Sequence, residues 1–566
     1  MERRDFVVRF AGEGGQGVVT AAEFLARAAA TVGYHVMTFA TFPSQIKGGP
    51  TYTQVRISTD PVLSSGDEID VLVALNLEAY NNHKAEVRED GVVMYDTVFE
   101  IDAETRALGV PIEVLAKEAG EARSANMVIL GALAHLVNMP KEYFQDFVAE
   151  RFKGRDKVVD FNTKALELGR LHAATSEFQL GSLMAPIRPE GKQILIKGND
   201  ALSIGALQAG VDYYVGYPIS PATPIFIFME KNLVGPGRFA YQATSEIESI
   251  TAIIGAGYAG KKAMTATAGP GFTLMSEGLG LAWMAEIPCV VVDVQRGGPA
   301  TGLPTKTEQS DFQTALHPAH GDSKLPVIAP GTIEECFYSA IHAFNWAERY
   351  QGPVILLSEH MMAERSQNIP MPDLDLVPPE TRETYTGDNG YLRYDGAELS
   401  AMPIPGSPGA YVANGSEHDS YGDTTHLAER HVQMTERRFG KLKLLEDGHY
   451  ESEGTDSPIA IMPWGGSKGP GREAWEALIA SGQSIGWYYT MFLHPLPAKL
   501  LEELLQKELV IVPELNYLGQ FSSYLRTYGI RAESITQYTG LPFKVSVLEE
   551  RITKRVEAHG RGVVRV

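Results

Sequence analysis

At 566 residues the chain has room for about three or four domains of roughly 150 residues each, and its 44% hydrophobic and 21% charged residues are those of an ordinary globular protein. A formal net charge of −21 argues against a nucleic-acid partner, because phosphate neutralisation needs clustered Lys and Arg. Cys289 and Cys336 are the only cysteines, too few for a disulfide framework or for the four thiolates of an iron–sulfur cluster. The N-terminus, MERRDFVVRFAGEGG, has no apolar stretch of signal-peptide length, and no run approaches the ~18 apolar residues of a membrane span. The expectation is a cytoplasmic protein with no membrane contact.

From Asp5 to about Leu183 the pattern alternates strand and helix. FVVRFA reads as a short apolar strand, VVTAAEFLARAAATV as a helix with apolar residues every third or fourth position, and YHVMTFATF as a returning strand. DVLVALN and DGVVMYDT continue the series, so residues 1–185 are expected to form a mostly parallel sheet with helices on its faces. Prolines and charges in MAPIRPEGK, Met184–Lys192, suit a linker.

A second α/β unit is expected over 194–369. It contains the strand DYYVGYP, a helix from near Ser245, the strands KKAMTATA and PCVVVDVQ, a long amphipathic helix from Thr332 and the strand GPVILLS. Residues 370–453 change character: PMPDLDLVPPE is proline-rich, GDNGYLRYDG and GSEHDSYGD are turn-rich, and TERRFGKLKLLED reads as a charged surface helix. This stretch is an arm or linker. SPIAIMPWGGS opens a third α/β unit, 454–566, with the helix REAWEALIASG and the strand KELVIVPE. The fold class is multidomain α/β.

Two glycine patterns imitate nucleotide sites. Gly12-Glu13-Gly14-Gly15-Gln16-Gly17 stands between a strand and a helix with dinucleotide-loop spacing, but the next strand ends without the acid that would hold a ribose. The loop either offers N–H groups to another anion or is a tight turn. Gly255-Ala256-Gly257-Tyr258-Ala259-Gly260-Lys261 follows helical sequence instead of a strand, and Lys262 stands where a P-loop needs Ser or Thr. Its small residues suit close helix packing.

Three further segments carry chemistry: GYPISPATP at 216–224, TSEIESITA at 244–252 and VVVDVQRGGPATGLPT at 290–305. Glu246 stands at a helix start, where it is either a working carboxyl or a complement to the helix dipole beside a Ser245 or Thr244 cap. Arg296 follows a strand at the point where open α/β sheets place ligands, and its planar fork suits a carboxylate. Gly297 and Gly298 allow close backbone approach. Tyr217, Pro218, Ile219 and Ser220 form a turn leaving a strand, with the Ser220 hydroxyl as a donor.

Together these segments resemble the pyrimidine-binding domain of the 2-oxoacid:ferredoxin oxidoreductases. PSQIKGGPTYTQVRIS at 43–58 resembles their gamma subunit, fused ahead of the alpha part, and 454–566 resembles their transketolase C-terminal-like domain. The resemblance implies oxidative decarboxylation of a 2-oxoacid with thiamine diphosphate and coenzyme A, with electrons passing to ferredoxin. The fusion order is similar to that of enzymes acting on 2-oxoglutarate, while pyruvate, branched-chain 2-oxoacids and a non-catalytic docking paralogue are the alternatives.

The same resemblance makes Glu246 the glutamate that favours the active tautomer of the aminopyrimidine, places Tyr217, Pro218, Ile219 and Ser220 over the reacting centre, and gives Arg296 the substrate carboxylate. Gly14, Gly15, Gln16, Gly17, Lys47, Gly297, Gly298 and Thr301 are substrate or coenzyme A candidates, Lys47 replacing the family's usual Arg. Trp464–Gly471 is another possible wall for coenzyme A. The G-D-G with which thiamine enzymes commonly bind the diphosphate through magnesium is absent from the sequence. The diphosphate half, the magnesium and the 4Fe–4S cluster are therefore expected on a separate beta subunit, with two copies of each chain.

Overall fold

The computed structural model describes residues 2–42, 49–102, 104–188, 190–396 and 399–563. The chain divides into two compact units, Met1–Ile196 with Arg365–Met371, and Lys197–Glu364 with Pro372–Val566.

The first unit is built on an eight-stranded sheet. In spatial order its strands are Ala107–Val110, Val87–Asp96, Ile69–Ala74, Asp5–Glu13, Pro50–Ser58, His35–Thr41, Ser366–Pro370 and Gln193–Lys197. The expected mostly parallel sheet is corrected to a mixed one. Asp5–Glu13, the helix Val18–Val32 and His35–Thr41 form the anticipated crossover, but Pro50–Ser58 lies between its strands and pairs antiparallel with both. That strand follows His35–Thr41 without a helix, so a rule based on helical crossovers leaves it out. The helices Ala125–Leu136 and Asp156–Ala173 cross so closely that a methyl group at Gly131 would meet Leu166 O at 1.9 Å and one at Gly169 would meet Val128 O at 2.0 Å.

The second unit carries two sheets. The larger runs Phe239–Gln242, Tyr213–Gly216, Ala263–Thr267, Cys289–Gln295, Pro353–Glu359, Val327–Ile328 and Phe492–His494. All its pairings are parallel except the last, where Phe492–His494 returns from the C-terminal part of the chain. Every residue of Cys289–Gln295 and Pro353–Glu359 is buried, as expected of central parallel strands covered on both faces. The smaller sheet runs Glu451–Glu453, Gly486–Tyr489, Ile459–Ile461, Leu509–Glu514 and Ala532–Thr536.

The charged segment near 435–447 is corrected from a surface helix to a buried staple. The helix Ala428–Gly440 and the turn after it present Arg437, Arg438 and Lys441, all at most 5% exposed. Arg438 pairs with Glu417, its Nη2 donating to Oε1 at 2.8 Å, while the other two converge on the fully buried Glu286: Arg437 Nε donates to its Oε1 at 2.9 Å and Lys441 Nζ to its Oε2 at 2.8 Å. Arg393 Nη2 donates to the Glu286 carbonyl at 3.1 Å. A charge pattern along one helix cannot reveal an acid about 150 positions earlier, which is why the sequence suggests solvent. At Gly257 a methyl group would lie 2.3 Å from Pro288 O, so the second glycine pattern does serve close packing. Among the described residues no helix is long and apolar enough to cross a membrane.

Candidate active site

Four parallel strands end at one edge of the seven-stranded sheet, where open α/β sheets hold their ligands. Tyr213–Gly216 leads into the Tyr217–Pro221 loop, Phe239–Gln242 into Thr244–Glu246, Ala263–Thr267 into Gly269–Gly271, and Cys289–Gln295 into Arg296. The sheet thus gathers at one edge three motifs spread over some 80 positions of sequence.

Glu246 is the first residue of the helix Glu246–Tyr258. Ser245 caps that helix, its Oγ accepting from Glu248 N at 3.2 Å. Glu248 reaches back to take the Thr244 N–H and hydroxyl, both at 2.6 Å. Capping is therefore complete without Glu246, which is 6% exposed and finds no hydrogen bond or ion pair among the described residues. Space beside it is kept by Gly271, where a methyl group would stand 2.4 Å from Glu246 Oε1 and 2.2 Å from Thr267 Oγ1. A buried carboxyl without a partner is costly, and here the fold leaves room next to it.

The Tyr217–Pro221 loop is pinned from behind. Thr223 donates its N–H and hydroxyl to Ile219 O at 2.9 and 3.1 Å, and Asn199 Nδ2 donates to Pro221 O at 3.0 Å. Ser220–Pro221 is a cis peptide. Tyr217 and Ser220 are exposed, Pro218 and Ile219 half-buried, and the Ser220 hydroxyl has no partner among the described residues. The Ser220 carbonyl accepts from Arg296 Nη1 at 2.7 Å, which ties this loop to the Arg296 motif.

Arg296 is 7% exposed and its Nε has no partner. Burial lowers its pKa, while Asp311 and Asp293 act the other way. It borders a cleft of 820 Å³ lined also by Gly269, Gly297, Gly298, Asp311 and Tyr538. Gly297 N donates to Lys306 O at 3.1 Å and Leu303 N to Gly297 O at 2.8 Å, closing a short loop on which Thr301 stands exposed. Asp293 and Asp311 escape motif reading, although an acid inside the apolar run VVVDV is a signal that could have drawn attention to the first.

The other candidates are placed elsewhere. Gly14–Gly17 belongs to the first unit, where Gln16 Oε1 accepts from Glu13 N at 2.7 Å and Asn76 Nδ2 at 2.9 Å. Gly17 heads the helix Val18–Val32 with φ 86° and packs on Asn126, while Gly15 faces open space. Lys47 lies outside the described residues. The Trp464–Ser467 turn is buried, and Gly466 N donates to Glu359 Oε1, so those residues are enclosed.

The family described as "Pyruvate flavodoxin/ferredoxin oxidoreductase, thiamine diP-bdg" matches residues 204–437, and "Pyruvate ferredoxin/flavodoxin oxidoreductase" matches 7–171. The chain is 32% identical to 2-oxoglutarate oxidoreductase subunit KorA of Mycobacterium tuberculosis, covering 95% of this chain and 89% of that one. It is 29% identical to the alpha subunit of 2-oxoacid:ferredoxin oxidoreductase 2 of Aeropyrum pernix, over 98% of both. Among solved structures it is similar to the 2-oxoglutarate:ferredoxin oxidoreductase of Magnetococcus marinus, solved with 2-oxoglutarate, coenzyme A and succinyl-CoA bound. The TM-score is 0.92 and the identity 38%, covering 98% of this chain and 99% of that one. The chain therefore belongs to the 2-oxoacid:ferredoxin oxidoreductase family, as a subunit of the alpha type.

Proposed function

We propose that this chain is the part of a coenzyme A-dependent 2-oxoglutarate:ferredoxin oxidoreductase that holds the aminopyrimidine of thiamine diphosphate and the carboxylate of the 2-oxoacid. The observation that carries the reading is Glu246, buried and unpartnered, on the same sheet edge as Ser220 and Arg296. The setting fits the cofactor: a ring N–H of the aminopyrimidine would give the carboxyl the partner it lacks, and Gly271 leaves space beside it.

When bound, thiamine diphosphate supplies the carbon nucleophile for the 2-oxo group and an electron sink as carbon dioxide leaves. Glu246 holds and exchanges a proton at the ring nitrogen, which a carboxyl shielded from water does with little competition. The Ser220 hydroxyl, exposed and uncommitted, donates to the oxo oxygen as charge develops there. Arg296 presents its fork to the carboxylate, and its bond to the Ser220 carbonyl fixes the distance between the two groups that grip the substrate. Tyr217, Pro218 and Ile219 cover the centre and limit water.

The diphosphate, magnesium and a 4Fe–4S cluster belong to a beta subunit in this account, since two buried cysteines cannot ligate a cluster. Ferredoxin takes the electrons, and two copies of each chain form the working unit. Pyruvate and branched-chain 2-oxoacids are the competing substrates. The test is anaerobic viologen reduction by this chain co-purified with its beta subunit, with 2-oxoglutarate, pyruvate and 2-oxoisovalerate in turn. Reduction that needs both coenzyme A and 2-oxoglutarate supports the reading; a complex loaded with cofactor and cluster that reduces no dye moves it to a docking or regulatory role.

A further inference from the structure

Asp293 occupies the middle of the fully buried strand Cys289–Gln295, is 0% exposed, and has no hydrogen-bond partner at either carboxylate oxygen. A carboxylate stripped of water and of donors is unstable, so burial here favours the neutral acid. Asp311, 18 positions further along the chain, lines the cleft that Arg296 borders. Its backbone N–H is fixed by Gln295 Oε1 at 3.1 Å, and its Oδ2 is buried without a partner. The Asp311 carboxyl also abuts Gly269, where a methyl group would lie 2.9 Å from Oδ2. Arg296, with an unpartnered Nε, lines the same cleft as Asp311.

Resting on the functional reading above, we propose that Asp311, backed by Asp293, is a positioning residue that sets the local charge around Arg296 and so how tightly the cleft accepts an anionic 2-oxoacid. With Asp311 neutral, the guanidinium faces the cleft as an uncompensated cation. With Asp311 ionised, a negative charge beside it opposes the incoming carboxylate and draws the guanidinium away from it. Neither acid forms an ion pair with Arg296 within 4.0 Å among the described residues; Nη1 is held by the Ser220 carbonyl, which leaves Nη2 uncommitted.

Burial, then Glu308, raises the Asp311 pKa to about 6 against the pull of Arg296, and burial holds Asp293 well above the usual carboxylate range. The groups acting on Asp311 are Asp293 from the strand, Arg296 beyond its end and Glu308 on the approach to the helix Phe312–Leu316, with the tyrosines Tyr517 and Tyr538 also in the cleft lining. Glu308, itself raised by burial, acquires charge of the same sign and adds to the effect. His360, near Arg296, is lowered to about 4 by burial and stays neutral above that. Since Asp311 is neutral below its pKa and charged above it, substrate binding weakens as pH rises through about 6.

The experiment is KM for 2-oxoglutarate against pH in the complex with the beta subunit. In the unmodified complex KM should rise by about three- to tenfold between pH 5.5 and 8. Asp311→Asn should remove that rise, lower KM at pH 8 and change kcat less, while Asp311→Glu should restore a pH-dependent KM. A KM flat with pH in the unmodified complex, or an unchanged profile in Asp311→Asn, overturns the proposal while leaving the functional reading standing. A complex inactive with every 2-oxoacid overturns both.

Discussion

Glu246 and Arg296 illustrate how much a single side chain's surroundings add to its identity. Glu246 could have been spent on the helix start, but Ser245 and Glu248 take that task and leave the first carboxyl facing inward. The motif spelling pointed to this residue, while the division of labour among neighbouring carboxyls could be read only from hydrogen bonds. Asp311 and Gly271 show the converse: each matters through a neighbour distant in sequence, and nothing in local spelling announces it. Gly271→Ala forces a methyl against Glu246 Oε1 and Thr267 Oγ1, and is expected to cost about 1–3 kcal/mol of stability and to weaken thiamine diphosphate binding, as read by thermal unfolding and cofactor titration. Arg296→Ala should reduce kcat/KM for the 2-oxoacid by the equivalent of about 2–5 kcal/mol, with KM carrying most of the change. An unaltered dependence of rate on 2-oxoacid would remove Arg296 from substrate binding.

At the scale of elements, the strands and helices of the second unit follow the periodicity of the sequence closely: Glu246–Tyr258, Cys289–Gln295, Ile333–Tyr350 and Pro353–Glu359 all lie where apolar spacing puts them. The inserted strand Pro50–Ser58 and the return of Phe492–His494 to the larger sheet were not legible, because strand order is decided by pairing across the fold and not by local pattern. The Glu286 staple belongs to the same class. Burial alone would push the Glu286 carboxyl up, but Lys441, Arg437 and Arg393 together hold it well below the usual carboxylate range. A depressed pKa contributes stability at neutral pH that is lost as pH falls through the folded value, so this staple loosens only in strong acid. Glu286→Gln leaves buried cations uncompensated and should destabilise the second unit by about 3–5 kcal/mol, seen as a lower unfolding midpoint at neutral pH. A midpoint unchanged within error would show that the cations find other partners.

For the whole molecule, the proposed function makes the chain one part of a larger site. It brings the Glu246 carboxyl, the Ser220 hydroxyl and the Arg296 guanidinium to one sheet edge, while its sequence has no G-D-G for a magnesium diphosphate and too few cysteines for a cluster. The family was legible from a resemblance carried by three short motifs, each of which follows a strand of one sheet. The measurement that tests the account most directly is hydrogen–deuterium exchange at the thiazolium C2 of thiamine diphosphate bound to the complex of this chain with its beta subunit. Glu246→Gln should slow that exchange by about 10²–10⁴ with the cofactor still bound and the complex still folded. Exchange as fast as in the unmodified complex would contradict the assignment of Glu246 and, with it, the claim that this chain activates the cofactor.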